Sequence, residues 1–230
     1  MTDPNRYPPN PGNAPVILAD MLVQGEPPAK FLKALAVIAD KLHPLFDAEP
    51  WMIYAGRSKE SCVLSSLAVR DFLWKVGFKD AEVRPVVMAM QALDGDGMQI
   101  HSARCGDPDM EAVRRQFKPG GGWPGHLIVV VPSTGYLIDP TLYQANRKEW
   151  EGLYGMIATP TYTDDVEEGI WGLPLLGGME AQQENGSTFR LVYLDHRANS
   201  LWREAGDASH RSHRANVVKQ LVALFSRGKS

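Results

Sequence analysis

Between Ala29 and Phe46 the apolar residues Phe31, Leu32, Leu35, Ile38, Ala39, Leu42 and Leu45 recur every three or four positions. That period predicts an amphipathic helix. Pro44 marks or disturbs its end, because proline removes a helical hydrogen bond. A second stripe, Leu64, Leu67, Ala68, Phe72, Leu73 and Val76, predicts a helix that starts near Ser58 and stops at Gly77. The pattern then changes to strands. Residues 81–90 are β-rich, with Pro85 arguing for an edge or a bulge. Residues 125–131 and 136–139 flank Pro132-Ser133-Thr134-Gly135 and predict a hairpin. Residues 189–194 read as a late strand, and Ala215 to Phe225 as a terminal amphipathic helix. Residues 15–24 fit either a short helix or a strand.

These elements imply an α+β fold, with the 58–76 helix packed on an antiparallel sheet made of 81–90, 125–131, 136–139 and 189–194. Residues 1–14 are rich in Pro and Asn and read as a disordered arm. Residues 15–230 then form one domain carrying two insertions. The first, 91–122, is irregular, with a turn at Asp94–Gly97 and a short helix around Met110 to Phe117. The second, 140–187, is loop-rich, with Trp150, Tyr154, Tyr162 and Trp171 among Gly and Pro. The run Pro119 to Gly125 is a mobile or sharply bent lead into the hairpin.

Composition narrows the function. The chain has 230 residues, 44% hydrophobic and 22% charged, with a formal net charge of −3. Apart from Arg211, Arg214, Lys219, Arg227 and Lys229 near the C-terminus, the basic residues are scattered. Nothing here favours nucleic acid or an anionic membrane. Two cysteines make no disulfide framework, and the N-terminal residues have no apolar core that could serve as a signal or span. The expected setting is cytoplasmic, with reduced thiols.

Three residues carry candidate chemistry. Cys62 falls in the first turn of the 58–76 helix, where backbone dipoles favour an anion. His126 and Asp139 lie on opposite arms of the hairpin, and folding about 132–135 brings them near to facing each other. Facing residues of an antiparallel pair share a side, with Cβ atoms roughly 4.5–5.5 Å apart. Leu127, Val129 and Val131 alternate with His126, Ile128 and Val130, and both sets are largely apolar. Such a strand is buried on both faces, and a histidine at its end needs the partner that Asp139 offers. A thiolate attacks carbonyls, a histidine holds the proton, and a third group orients the histidine.

A cysteine at a helix start, a histidine leading a strand, and an aspartate after the next strand in Leu137-Ile138-Asp139-Pro140-Thr141 form an ordered set. This order resembles the transglutaminase-like branch of the papain-like cysteine enzymes, over about residues 50–145. The resemblance implies a papain-like fold and catalytic roles for Cys62, His126 and Asp139. It implies a thioacyl-enzyme formed on a peptide or protein substrate, with no cofactor. For the oxyanion, the Cys62 N–H is one donor, and Trp51, Tyr54 or Ser58 could supply the second.

Competing readings use the same residues. Cys62 could be a small buried hydrophobe. His101 and Cys105, with Cys62 and His126, could hold zinc, although no metal-binding spacing supports it. Cys105 otherwise reads as an incidental loop cysteine. The scaffold could also be an inactive protein-binding module, or an acyl-CoA-dependent N-acyltransferase. His43 reads as a surface residue, and His196, His210 and His213 as solvated.

Overall fold

The computed structural model describes residues 15–150, 153–162, 170–183 and 185–227. The first strands are β1 (Val16–Leu18) and β2 (Met21–Val23), which settles residues 15–24 as a small hairpin. Helix α1 runs Ala29–Asp47 and buries Phe31, Leu35, Ile38, Leu42 and Phe46, the expected stripe. It continues past Pro44 by three residues. A single turn, α2 (Arg57–Glu60), precedes α3 (Cys62–Val76), which ends at Gly77 in the left-handed conformation.

The sheet follows. Strand β3 (Glu82–Leu93) is longer than its sequence signal, and β4 (Gln99–Cys105) returns along it as a hairpin. Helix α4 (Met110–Gln116) lies where a short helix was expected. Strands β5 (His126–Val131) and β6 (Tyr136–Asp139) form the expected hairpin, and every residue of both is buried. The segment 140–187 is not merely loops. It contributes β7 (Met156–Pro160) and β8 (Leu175–Gln182), while 163–169 lie outside the described residues. Strand β9 (Thr188–Asp195) and α5 (Arg211–Arg227) complete the order. The expected arm at 1–14 also lies outside the described residues.

Among the described residues nine strands form one sheet in the order β1-β2-β7-β6-β5-β3-β9-β8, with β4 beside β3. All pairs are antiparallel except β2 with β7. The architecture is therefore mixed α and β, with an antiparallel-rich sheet and five helices among the described residues. Helices α1, α3 and α5 cover one face, packing Phe31, Leu35, Leu64, Phe72, Leu221 and Phe225 against Val129, Val131 and Ile138. The other face is covered by the sheet itself. It curls until Thr159 Oγ1 of β7 donates to Gly178 O of β8 at 3.2 Å, and the Tyr162 N–H donates to Leu176 O at 3.0 Å. Gly177 allows that approach, since a Cβ there would lie 3.2 Å from Pro160 O of β7 and 2.6 Å from a Leu137 methyl. Inside the curl sit Val86, Met88, Ile128, Leu137, Trp150, Phe189 and Tyr193. Among the described residues, no helix is long and apolar enough to cross a membrane.

Candidate active site

The site lies where α3, β5 and β6 end together. Cys62 is the first residue of α3, and its cap is Ser61 rather than Ser58, with Ser61 Oγ accepting the Leu64 N–H at 3.2 Å. Ser61 Oγ also donates to Asp207 Oδ2 at 2.5 Å. Asp207 is held in turn by Arg57 Nη2, also at 2.5 Å. The helix start is thus fixed by a residue 146 positions away in sequence.

In the hairpin Val131 faces Tyr136, Val130 faces Leu137 and Val129 faces Ile138. Continued one step, this register puts Asp139 across from Ile128, two places from His126. An even offset keeps both side chains on one face. His126 and Asp139 therefore meet diagonally instead of facing, because the turn includes a 3-10 turn at Pro132–Thr134. The contact is made regardless, with His126 Nε2–H donating to Asp139 Oδ2 at 2.7 Å.

The carboxylate has further donors. Tyr193 OH donates to the same oxygen at 2.8 Å. The Thr141 N–H and hydroxyl donate to Oδ1 at 2.9 Å and 3.3 Å. Tyr193 reaches Asp139 from β9, where it pairs with Met88, two residues along β3 from the Val86 that pairs with His126. His126 and Asp139 are both 0% exposed. Burial alone would raise the Asp139 carboxyl, but His126, Thr141 and Tyr193 hold it below the usual carboxylate range. Burial would likewise lower His126. The Asp139 charge and hydrogen bond, with Cys62 adding to them, hold it well above an ordinary imidazole.

The second ring nitrogen of His126, Nδ1, is buried and has no hydrogen-bond partner among the described residues. Cys62, at the start of α3, also acts on the His126 ring and adds to its raised proton affinity. In this arrangement Cys62 Sγ donates to Gly125 O at 3.7 Å. Gly125 has no side chain because the Trp123 ring lies over it, where a Cβ would be 2.3 Å from a ring carbon. Cys62 is 6% exposed and clusters with Leu67, Leu127 and Trp202, with Trp123 packed alongside.

The run before His126 is a bent lead tied to the 199–206 segment. The Gly120 N–H donates to Glu204 O at 2.9 Å, and the Gly206 N–H donates to Gly121 O at 3.1 Å. Trp123 Nε1–H donates to Asn199 Oδ1 at 3.3 Å. Cys105 is also not in a loop. It ends β4 opposite Met88, next to His126 along the same edge of β3, and burial raises its thiol. Both cysteines are free. His101 is exposed, and no group of three or more His, Cys, Asp or Glu among the described residues could hold a metal ion.

None of the expected second oxyanion donors is free to serve. Trp51 Nε1–H donates to Glu49 Oε2 at 3.3 Å, and Tyr54 OH donates to Glu60 Oε2 at 2.5 Å. Ser58 Oγ bonds His43 Nδ1 at 2.8 Å. The Cys62 N–H, at the start of its helix, remains a candidate by position.

His43 is a correction in its own right, being buried rather than on the surface. Its Nε2–H donates to Pro140 O at 2.9 Å, so Nδ1 accepts from Ser58. This ties α1 and α2 to the peptide next to Asp139. Burial lowers His43 to about 4. A signal existed in the sequence, since Ala39, His43 and Phe46 lie on one helix face. His196 is buried too, and His210 and His213 pack on the Trp51 ring at 5.2 Å and 4.6 Å between centroids.

The set brings a thiol, an imidazole and an anchored carboxylate together from three elements. Compared with known proteins, the chain matches no family model, no curated protein and no solved structure.

Proposed function

We propose that this chain is a cysteine-dependent acyl-transfer enzyme of the papain-like, transglutaminase-like kind, acting on an amide or peptide bond in a protein or peptide. The observation that carries the reading is the His126 ring, bonded to Asp139 through Nε2 with Nδ1 left unbonded among the described residues, while Cys62 Sγ reaches the carbonyl of Gly125, the residue before His126 in the chain. Cys62 Sγ, its proton passed to His126, attacks the carbonyl carbon. The C–N bond then breaks, and the leaving amine takes the proton from His126. A thioester on Cys62 remains. Water attacks it with His126 accepting the proton, and the acid leaves as the thiol–imidazole pair is restored. An amine in place of water would give a transferase. Asp139 keeps the imidazole in the tautomer and orientation this needs. The reading includes a cytoplasmic setting, which would keep both free cysteines reduced.

An inert binding module explains the site less well. A buried charged pair often contributes no more stability than apolar residues of the same volume. Four donated hydrogen bonds converging on one buried carboxylate are better accounted for by chemistry.

The test is acyl trapping. Incubation with p-nitrophenyl acetate should leave an acetyl group on Cys62 when peptides are mapped by mass spectrometry, and acetyl-CoA is tried separately. The ester should acylate Cys62 and the adduct should be lost in His126→Ala. Equal acylation of that variant, or none on Cys62, would overturn the proposal. A stable adduct from acetyl-CoA would select the N-acyltransferase branch.

A further inference from the structure

Asp139 Oδ2 accepts from two donors, His126 Nε2–H at 2.7 Å and Tyr193 OH at 2.8 Å. The Tyr193 ring lies nearly parallel to the imidazole, at 19° with centroids 6.5 Å apart. Tyr193 is fully buried, and its own ionisation is pushed well above the usual value by burial and by Asp139, so it stays a donor. With the two Thr141 bonds on Oδ1, both carboxylate oxygens are doubly served. The titratable groups that act on this carboxylate are His126 from β5, Tyr193 from β9 and Cys105 from β4, and Cys62 from α3 acts on His126.

Where the imidazolium proton sits is a competition. A carboxylate that is fully bonded in a dry site has little need of that proton. A carboxylate lacking one bond pulls it harder, and a neutral His126 no longer supports a negative sulfur.

We infer that Tyr193 is a positioning residue for the thiol–imidazole pair: its hydroxyl keeps Asp139 ionised, so that the proton stays on His126 beside Cys62. The inference deepens the acyl-transfer reading and rests on it. Nothing in the 189–194 sequence marks Tyr193 apart from its place in an apolar strand.

The test is the pH profile of Cys62 alkylation by iodoacetamide in Tyr193→Phe, which keeps the ring and removes the donor. A hydrogen bond to a charged group corresponds to about one pH unit, so the rising limb should move up by about that much. The rate at about pH 6, on that limb, should fall about tenfold. The limb belongs to the coupled groups together rather than to one residue. A residue that only fills space would leave the limb in place, so superimposable profiles would overturn the inference. His126→Ala is the control. If that variant labels like the wild type, the acyl-transfer reading itself fails. If it is slow while Tyr193→Phe matches the wild type, only the role of Tyr193 fails. A measurement on the unaltered chain covers poor folding of the variant. The Tyr193 hydroxyl proton should give a slowly exchanging downfield NMR line with a nuclear Overhauser effect to the His126 ring, and its absence contradicts the inference.

Discussion

Asp139→Ala should destabilise the protein by about 3 kcal/mol or more in urea unfolding, because it strands one side of a buried pair. The carboxylate accepts from His126, Tyr193 and both donors of Thr141, all in a buried setting. A buried donor left without an acceptor costs about 1–3 kcal/mol, and several are left at once. His126 loses the partner that holds it well above an ordinary imidazole, so it becomes neutral. Asp139→Asn keeps the volume and one acceptor oxygen, so it should recover part of the loss. A cost under about 1 kcal/mol for the alanine variant would contradict the hydrogen bonds assigned to Asp139.

Stability should also fall as the pH drops from about 6.5 to 4, through His43. The folded His43 titrates near 4 and the unfolded one near 6.5. Between these values the unfolded chain binds a proton that the folded chain refuses. The sign is therefore a loss of stability on acidification, complete below the folded value. A difference of roughly 2.5 units corresponds to about 3 kcal/mol at most. His126 does not oppose this. Its folded value is raised, so it is protonated in both states at the acid end, and its contribution fades only as the pH rises toward the folded value. The check is unfolding free energy against pH for the wild type and His43→Gln. The variant should start less stable and lose much less on acidification. Parallel curves would show that His43 is not the group responsible.

Much of this was legible in the chain, for physical reasons. The stripes of α1 and α3 bury one side of each helix, so their period survived into the structure. The double apolar alternation of β5 matched a strand buried on both faces. His126 and Asp139 share a face because the hairpin register differs from the expected one by an even number of places. An odd difference would have separated them. What failed to show has causes as well. Most of β4 faces solvent, so Gln99 to Cys105 carries no apolar period. Strand β8 contains Gly177-Gly178, which reads as a break but permits the curled sheet to close. The start near Ser58 differs from the Ser61 cap because α2 adds one helical turn ahead of it. Tyr193 and His43 act through long-range contacts of 54 and 97 residues, which no local pattern encodes.

The most direct measurement is the rate at which iodoacetamide alkylates Cys62 near neutral pH in the wild type and in His126→Ala, read by peptide mapping. A positioned acid–base partner contributes roughly a hundredfold or more, so the variant should be slower by about that factor while Cys105 is unchanged. Equal rates at Cys62 in the two proteins would mean that the imidazole does nothing for the sulfur, and the proposed chemistry would be wrong.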